Sequence, residues 1–209
     1  MLTFSRLKKE YNSQPVLSVE HLEIGDGLHW LQGANGSGKS TFLKIASGLI
    51  PFEGDVVLNG ISLKKNRVSY KRLISYAEAE PVYPDFLTGE DLVRFYNSVR
   101  QSDKKWSDKL IERFAIGSYW RHTIGTYSSG MAKKISLVLA FLGSTEFILL
   151  DEPFVTLDVA TVNTLINTIN EYHRQGKNFI FTSHQSAEMV HLPITSHLLA
   201  DHQTVCRLS

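Results

Sequence analysis

The sequence predicts an α/β fold with a mixed sheet, an N-terminal antiparallel β subdomain and an inserted α-helical subdomain. A strand, a glycine-rich loop and a helix follow one another around residues 33–40. The apolar runs 147–150 and 178–182 are typical of strands buried on both faces of a parallel sheet. From about 88 to 143 the pattern is helical without a strand signal, which predicts an insertion between two core strands. We expect one domain over residues 1–209.

Composition narrows the possible functions. The net charge of +1 gives no indication of a nucleic-acid partner. Because Cys206 is the only cysteine, an intrachain disulfide is ruled out, which suits a reducing cytosol. We interpret Cys206 as a residue without a catalytic role rather than as a nucleophile. The longest apolar run, Ile135 to Leu142, is far shorter than the ~20 residues that span a bilayer, and the N-terminus does not resemble a signal peptide. We therefore expect a soluble chain whose membrane spans, if it uses any, belong to another chain.

Short antiparallel strands are predicted for residues 1–27, with turns at 12–15 and 25–27. Tyr11 lies in the first turn region. Its ring could stack on an adenine, but its position alone favours an ordinary turn aromatic. The buried strand Leu28 to Gln32 then leads into the glycine-rich loop.

The glycine-rich loop has the spacing G-x-x-x-x-G-K-[ST] of a phosphate-binding loop. Its glycines permit positive φ, so that successive N–H groups can form an anion nest at the start of a helix that ends at Gly48. We expect Lys39 to bind the β- and γ-phosphates, and Ser40, in preference to Thr41, to place a hydroxyl on Mg²⁺. The loop consists of Gly33, Ala34, Asn35, Gly36, Ser37, Gly38, Lys39 and Ser40, followed by Thr41.

After this helix, the residue pattern predicts a strand at 55–58, a hairpin turn at Asn59-Gly60 and a further strand from about Leu73 to Ala77. A loop with two prolines follows. Thr88 is a predicted N-cap, and a second helix is predicted near 106–116.

Two further helix starts follow in the inserted region and after it. Ser128-Ser129-Gly130 opens a helix and could bind an anion there, although a serine in this position is often only a cap. The tryptophan and phenylalanine residues of the insertion are interpreted as core. Thr156-Leu157-Asp158 opens another helix, and two short strands around a turn at 201–203 complete the chain.

Two carboxylates follow the buried strand Phe147 to Leu150. Ligands bind at the carboxyl ends of strands in open α/β sheets, and buried charge is tolerated only when it is used or paired. Asp151 is thus placed to hold Mg²⁺ and Glu152 to orient and deprotonate a water molecule. The alternative is a carboxylate pair that caps the next helix. His184, after the strand 178–182, reaches the same edge, with a structural role as the alternative.

The assembled motifs resemble the ATP-binding subunits of ATP-binding-cassette transporters over essentially the whole chain. The phosphate loop alone would also fit kinases and GTPases. The match becomes specific through Leu149-Leu150-Asp151-Glu152-Pro153, Leu157-Asp158 and Ser183-His184. The resemblance implies a P-loop NTPase core, ATP and Mg²⁺ as cofactors, and ATP hydrolysis coupled to transport.

The resemblance also implies individual roles. Tyr11 would stack on the adenine. His184 would contact the γ-phosphate and position the attacking water, and Asp158 would help to connect two sites across a dimer. The resemblance implies the same roles as inferred above for four residues: Lys39 binds phosphate, Ser40 and Asp151 hold Mg²⁺, and Glu152 orients the water.

Tyr127–Met131 aligns with the family signature Leu-Ser-Gly-Gly-Gln, in which Ser128 and Gly130 match. Its Tyr-Ser-x-Gly-Met form is similar to exporters whose membrane partners are separate chains. In the family this segment contacts the γ-phosphate on the other subunit. The resemblance therefore implies a homodimer or a pair with a related cassette, separate transmembrane subunits, and a peripheral location on the cytoplasmic face of the membrane.

The signature departs from the family pattern at Tyr127, Ser129 and Met131, and the larger departure is Ala79, which stands where the family has a glutamine. Glu78 or Glu80 could substitute for it. Two rival functions are weaker. Cassette proteins that remodel RNA or ribosomes generally carry two cassettes in one chain, and chromosome-type relatives insert a long coiled coil, for which the heptads are missing here. A small-molecule kinase would leave the signature, the carboxylate pair and the histidine unexplained.

Overall fold

The computed structural model describes residues 1–183 and 192–208 and confirms the α/β fold with a mixed sheet. In chain order its strands and helices are β1 (Leu2–Tyr11), β2 (Gln14–Ile24), β3 (Leu28–Gln32), α1 (Lys39–Ala46), β4 (Glu53–Leu58), β5 (Ile61–Ser62), α2 (Arg67–Leu73), β6 (Ile74–Ala77), α3 (Gly89–Arg100), α4 (Lys104–Arg113), α5 (Ser129–Ala140), β7 (Phe147–Leu150), α6 (Val159–Arg174), β8 (Asn178–Thr182), β9 (Ser196–Asp201) and β10 (Thr204–Arg207).

A mixed sheet forms the centre of the molecule. Its order within the described residues is β10-β9-β3-β8-β7-β6, with β9 to β6 parallel and β10 antiparallel at the edge. Every residue of β7 is buried, as predicted. Because successive side chains of a strand point to opposite faces, Ile148 and Leu150 pack into one apolar cluster with α5 and α6, while Phe147 and Leu149 pack into another with α1 and the N-terminal strands.

The N-terminal antiparallel sheet has the order β2-β1-β4-β5. Its strands β1 and β2 are longer than the short strands predicted. The turn between them contains only Asn12 and Ser13, both with positive φ (50° and 62°), as in a type I′ hairpin. Gln14 and Pro15, predicted as turn residues, instead belong to β2. The hairpin at Asn59-Gly60 is confirmed, with φ of 48° and 80°.

The helices α3, α4 and α5 lie between β6 and β7 in the chain, where the insertion is predicted. Thr88 caps α3 in a reciprocal capping box with Asp91. Helix α4 runs from 104 to 113, slightly earlier than the predicted 106–116, because Asp103 caps it.

Two expectations about helices and core were incomplete. Helix α2 was not predicted, since it buries only Tyr70 and so shows no apolar periodicity. Phe114 and Phe141 are core residues as expected, but Phe95 is 61% exposed, so the core interpretation was wrong for that residue. In the described ranges, no helix combines the length and apolarity needed to cross a bilayer.

His29 lies in the middle of the sheet and is buried. Its Nε2 donates to the carbonyl of Gly25 at 3.0 Å, which leaves Nδ1 to accept from the Ser196 hydroxyl at 2.7 Å. Burial lowers the pKa of His29 below its usual 6.5, because the cation would lose hydration. The ring is therefore neutral in the folded chain.

His29→Gln should make the free energy of unfolding less sensitive to acid. As the pH falls below 6.5, an unfolded chain takes up a proton on His29 that the folded chain resists, so native stability is lost. Urea unfolding at several pH values between about 7.5 and 5 measures this slope. The exposed His122→Gln is the matched control. Equal slopes for native chain and His29→Gln would contradict the prediction.

Candidate functional site

The glycine-rich loop connects β3 to α1 and has the conformation its sequence predicts. Gly33, Gly36 and Gly38 all have positive φ. A Cβ at Gly33 would collide with the carbonyl oxygen of Ala200 and with the Ser37 hydroxyl, so glycine is required there. The loop can therefore lie close against the end of β9 while its backbone stays open on the other side.

Lys39 folds back over the loop. Its Nζ donates to the carbonyls of Gly33 at 2.7 Å and Ala34 at 3.0 Å, which holds a cation beside the loop. Helix α1 has no side-chain cap and no acidic residue in its first turn. Its first N–H groups are thus available to an anion, and the helix dipole favours negative charge there.

A cleft of about 220 Å³ joins the loop to the end of β7. It brings together most of the residues predicted for phosphate, metal and water. Its lining consists of Val16, Asn35, Gly36, Gly38, Lys39, Ser40, Thr41 and Glu152. The juxtaposition of the phosphate loop with Glu152 is the long-range contact on which the sequence prediction depends.

Asp151 lies at the carboxyl end of β7 and is 2% exposed. The Thr182 hydroxyl donates to its Oδ1 at 2.8 Å, and the Tyr76 hydroxyl donates to its Oδ2 at 3.0 Å. Burial and the nearby carboxylate raise the pKa of Tyr76, so its hydroxyl keeps its proton and remains a donor. Both carboxylate oxygens are thus held in place, each with lone pairs left for a further ligand.

Thr182 also fixes Glu152, because its Oγ1 accepts from the Glu152 backbone N–H at 2.8 Å. Glu152 itself has a φ of 43°, a left-handed conformation that is uncommon for a residue with a side chain. One hydroxyl therefore orients both members of the carboxylate pair. The alternative, that this pair caps the next helix, is wrong: Asp158 caps α6 by accepting from the Thr161 N–H at 2.7 Å.

Lys133 is fully buried below the carboxylate pair. Its Nζ donates to three carbonyls, those of Glu78 at 2.8 Å, Ala79 at 3.0 Å and Asp151 at 2.9 Å. Burial lowers the pKa of Lys133 to about 8, although the charge of Asp151 and other nearby carboxylates acts in the opposite direction. This lysine ties α5 to the loop after β6 and to the end of β7.

The signature segment lies at the start of α5, outside the cleft lining. The Ser128 hydroxyl accepts from the Met131 N–H at 3.2 Å and so caps the helix. At Gly130 a Cβ would come within 2.9 Å of the Thr156 carbonyl, so the helix start packs closely against the loop before α6.

Lys134 of α5 donates to Asp158 at 3.1 Å across the same contact. Hydrogen bonds from Thr161, then Lys134, lower the pKa of Asp158 to about 2.

Other predicted site residues lie apart from the cleft or outside the described residues. Tyr11 is 46% exposed at the end of β1, with the Lys9 ammonium 4.5 Å from its ring centroid, and it is not part of the cleft lining. His184 lies outside the described residues. Glu78 faces a separate groove rather than the cleft, while Ala79 contributes its carbonyl to Lys133. The roles of Tyr11 and His184 therefore stay predictions.

Sequence reasoning missed Thr182, Tyr76 and Lys133. The register of the parallel strands gave a signal for Thr182, because β7 and β8 end at the same edge. Tyr76 lies near the end of β6, the other neighbour of β7, and could have been found in the same way. Lys133 gave no signal, since it looks like an ordinary lysine of a surface helix.

The fold and the phosphate cradle define a phosphate-loop nucleotide-binding protein. A family model described as ABC transporter matches residues 22–155, which is more than half of the chain. The chain therefore belongs to the ABC transporter family, and it is an ATP-binding subunit with ATPase activity.

Individual relatives agree with this assignment. The cytochrome c biogenesis ATP-binding export protein CcmA of Legionella pneumophila (strain Lens) is 30% identical over 188 residues, covering 88% of this chain and 93% of that protein. The linearmycin resistance ATP-binding protein LnrL of Bacillus subtilis (strain 168) is 27% identical, but the chain, matched over 90% of its length, spans only 63% of LnrL. A solved structure of an ATP-binding subunit of an ABC transporter superposes with a TM-score of 0.89 at 25% identity, covering 100% of this chain and 90% of that one.

Thr182→Val should lower kcat for ATP hydrolysis about tenfold or more while leaving ATP affinity nearly unchanged. The valine keeps the shape but removes the hydroxyl that orients Asp151 and Glu152, and a hydrogen bond to a charged group contributes about 1.5–3 kcal/mol. Steady-state hydrolysis and binding of a fluorescent ATP analogue measure the two effects. Thr168→Val is the control, because it removes a buried hydroxyl that donates to the Thr164 carbonyl and accepts from Arg113, with no bond to either carboxylate. Similar losses in both variants would contradict the assignment.

Proposed function

We propose that this chain is the ATP-hydrolysing subunit of an exporter and powers transport through separate membrane-spanning subunits. The observation that carries the proposal is the cleft in which the phosphate loop faces Glu152. The Tyr-Ser-x-Gly-Met signature and the names of the relatives, an export protein and a resistance protein, favour export. The proposed location is the cytoplasmic face of the cell membrane.

Within the cleft, the loop N–H groups and Lys39 would bind the phosphates of ATP. Tyr11, outside the cleft lining, would stack on the adenine. Mg²⁺ fits the donors present: the Ser40 hydroxyl borders the cleft, and the buried Asp151 carboxylate keeps lone pairs free of its two hydrogen bonds. Mg²⁺ is usually held by one or two carboxylates together with substrate phosphates, not by a cage of protein ligands. The described residues contain no cluster of three or more His, Cys, Asp or Glu side chains that could hold a metal ion. When bound, the ion would neutralise phosphate charge.

Hydrolysis needs a water molecule aligned with the γ-phosphate. Glu152 lines the cleft together with the loop and is the proposed base that orients and deprotonates this water. His184 is proposed to contact the γ-phosphate beside it. Positioning and charge neutralisation then supply most of the rate enhancement, as in other phosphoryl transfers to water.

The position of the signature supports a dimer. Ser128 is exposed at the start of α5, which has no acidic residue in its first turn, and neither it nor Gly130 lines the cleft of its own chain. The helix start would contact the γ-phosphate in the cleft of a second copy or of a related cassette. Asp158, held beside the signature by Lys134, would help to connect the two sites.

A groove of about 740 Å³ is the proposed docking place for a membrane-spanning subunit. It lies between α2, the loop after β6 and α3. Exposed apolar side chains line it, namely Leu49, Val68, Val82, Phe95 and Val99. Lys71, Arg72 and Arg100 outnumber the single carboxylate Glu78 in its lining. This chemistry suits an apolar segment that carries acidic residues, which we assign to a cytoplasmic loop of the membrane partner.

Glu152→Gln should reduce ATP hydrolysis at least ~10²-fold, the scale of losing a positioned base, and should trap an ATP-bound dimer. Hydrolysis assays and size-exclusion chromatography with ATP test both parts. Glu171→Gln, which alters a carboxylate paired with Arg113 on α4, is the control. Near-normal turnover of Glu152→Gln would remove this residue from the mechanism.

A tagged chain recovered from its native cells in mild detergent should bring down a polytopic membrane protein in about equal amount. Phe95→Glu should abolish this capture without changing ATP affinity, because it places an anion in the groove that would receive an acidic segment. Val159→Glu, at an exposed apolar position on α6 outside the groove lining, is the matched control. Recovery of only ribosomes or soluble proteins would overturn the transport assignment and leave the ATPase chemistry intact.

A further inference from the structure

We propose that Tyr76 is a positioning residue that connects the docking groove to Asp151, and so carries the effect of a docked partner to the catalytic centre. The groove's role rests on the proposed function, whereas the contact with Asp151 does not. Ala79, at the position where a side chain could have made such a connection, ends in a methyl group. Tyr76 is three residues earlier, on the strand itself.

Tyr76 belongs to both places at once. It lines the groove together with Tyr83, Glu78 and Ser136. Its hydroxyl donates to Oδ2 of Asp151 at 3.0 Å, across 75 positions of sequence. Strand β6, which carries Tyr76, is adjacent to β7, which ends directly before Asp151, and Tyr76 pairs with Leu149. A displacement of the ring from the groove side would therefore act directly on one oxygen of the buried carboxylate.

The surroundings make Asp151 responsive to this one contact. Thr182 holds the other oxygen, Oδ1, at 2.8 Å, and Lys133 holds the Asp151 carbonyl at 2.9 Å. The main chain is thus fixed, and among the described residues two hydroxyl groups oppose rotation of the carboxyl group. Since a buried carboxylate oxygen without a donor is costly, weakening the Tyr76 hydrogen bond would favour a different carboxylate orientation.

Lys133 extends the connection to the loop that borders the groove. It binds the carbonyls of Glu78 and Ala79, the residues that follow β6. Movement of this loop by an occupant of the groove would shift Lys133, Tyr76 and Asp151 together. Because these bonds use backbone carbonyls, a glutamine side chain at position 79 is not required for the connection.

The first experiment compares Tyr76→Phe with Tyr172→Phe in the purified chain. Both variants remove one phenol hydroxyl that donates a hydrogen bond, but that of Tyr172 donates to the Phe141 carbonyl instead of to Asp151. Tyr76→Phe should lower kcat about tenfold, the scale of one hydrogen bond to a charged group, with KM for ATP within about twofold. Both variants should lower the thermal midpoint by a similar amount. A kcat unchanged in Tyr76→Phe, or lowered equally in both variants, would overturn the role.

The second experiment tests the connection with a defined probe in the groove. Val99→Cys, in a Cys206→Ser background, provides a single exposed thiol on the groove lining for fluorescein maleimide. Labelling should change kcat at least about twofold when Tyr76 is present, and should have no further effect in the Tyr76→Phe background, as expected for coupled sites. No effect of the label in the first background, or the same effect in both, would overturn the connection.

These measurements are independent of the membrane partner. They can fail while capture of a membrane protein succeeds, in which case the partner would act by another route. They can also succeed while capture fails, which would leave Tyr76 as a positioning residue of an ATPase with a different partner.

Discussion

The buried carboxylate of Asp151 is the constraint on which the rest of the site depends. A carboxylate that is almost completely removed from water is tolerated only if its oxygens receive hydrogen bonds or a cation. Here the donors come from β6 and β8, the two strands adjacent to β7. The sheet order is therefore part of the chemistry: a different neighbour on either side would leave an oxygen without a donor.

The same requirement links the helical insertion to the sheet. Lys133 on α5 is a buried cation whose three N–H groups are all used, and each acceptor is a carbonyl at the end or just beyond the end of a core strand. The charges of Asp151 and Glu152 act favourably on this ammonium, although burial disfavours it. The start of α5 meanwhile packs against the loop before α6 through Gly130. Lys133 and Gly130 thus hold α5 against the ends of β6 and β7 and against the loop before α6.

Much of this arrangement was predictable because it depends on local spacing. The phosphate loop, the capping residues Thr88, Ser128 and Asp158, and the fully apolar strand β7 are visible as short patterns. Tyr76 and Thr182 were not predicted, since their partner Asp151 lies 75 and 31 positions away and only sheet pairing brings them together. Helix α2 was missed for the opposite reason: it is local, but packing of one tyrosine and not periodicity stabilises it.

The tether from Lys133 to the backbone of residues 78 and 79 has a consequence for evolution. A contact made through carbonyl oxygens is indifferent to the side chains that those residues carry. Mutations at these two positions can therefore accumulate without releasing the loop, so long as the backbone path and the lysine persist. Covariation would be expected between position 133 and the strand ends it holds, while positions 78 and 79 drift. A search that requires a particular amide side chain at position 79 would overlook such chains.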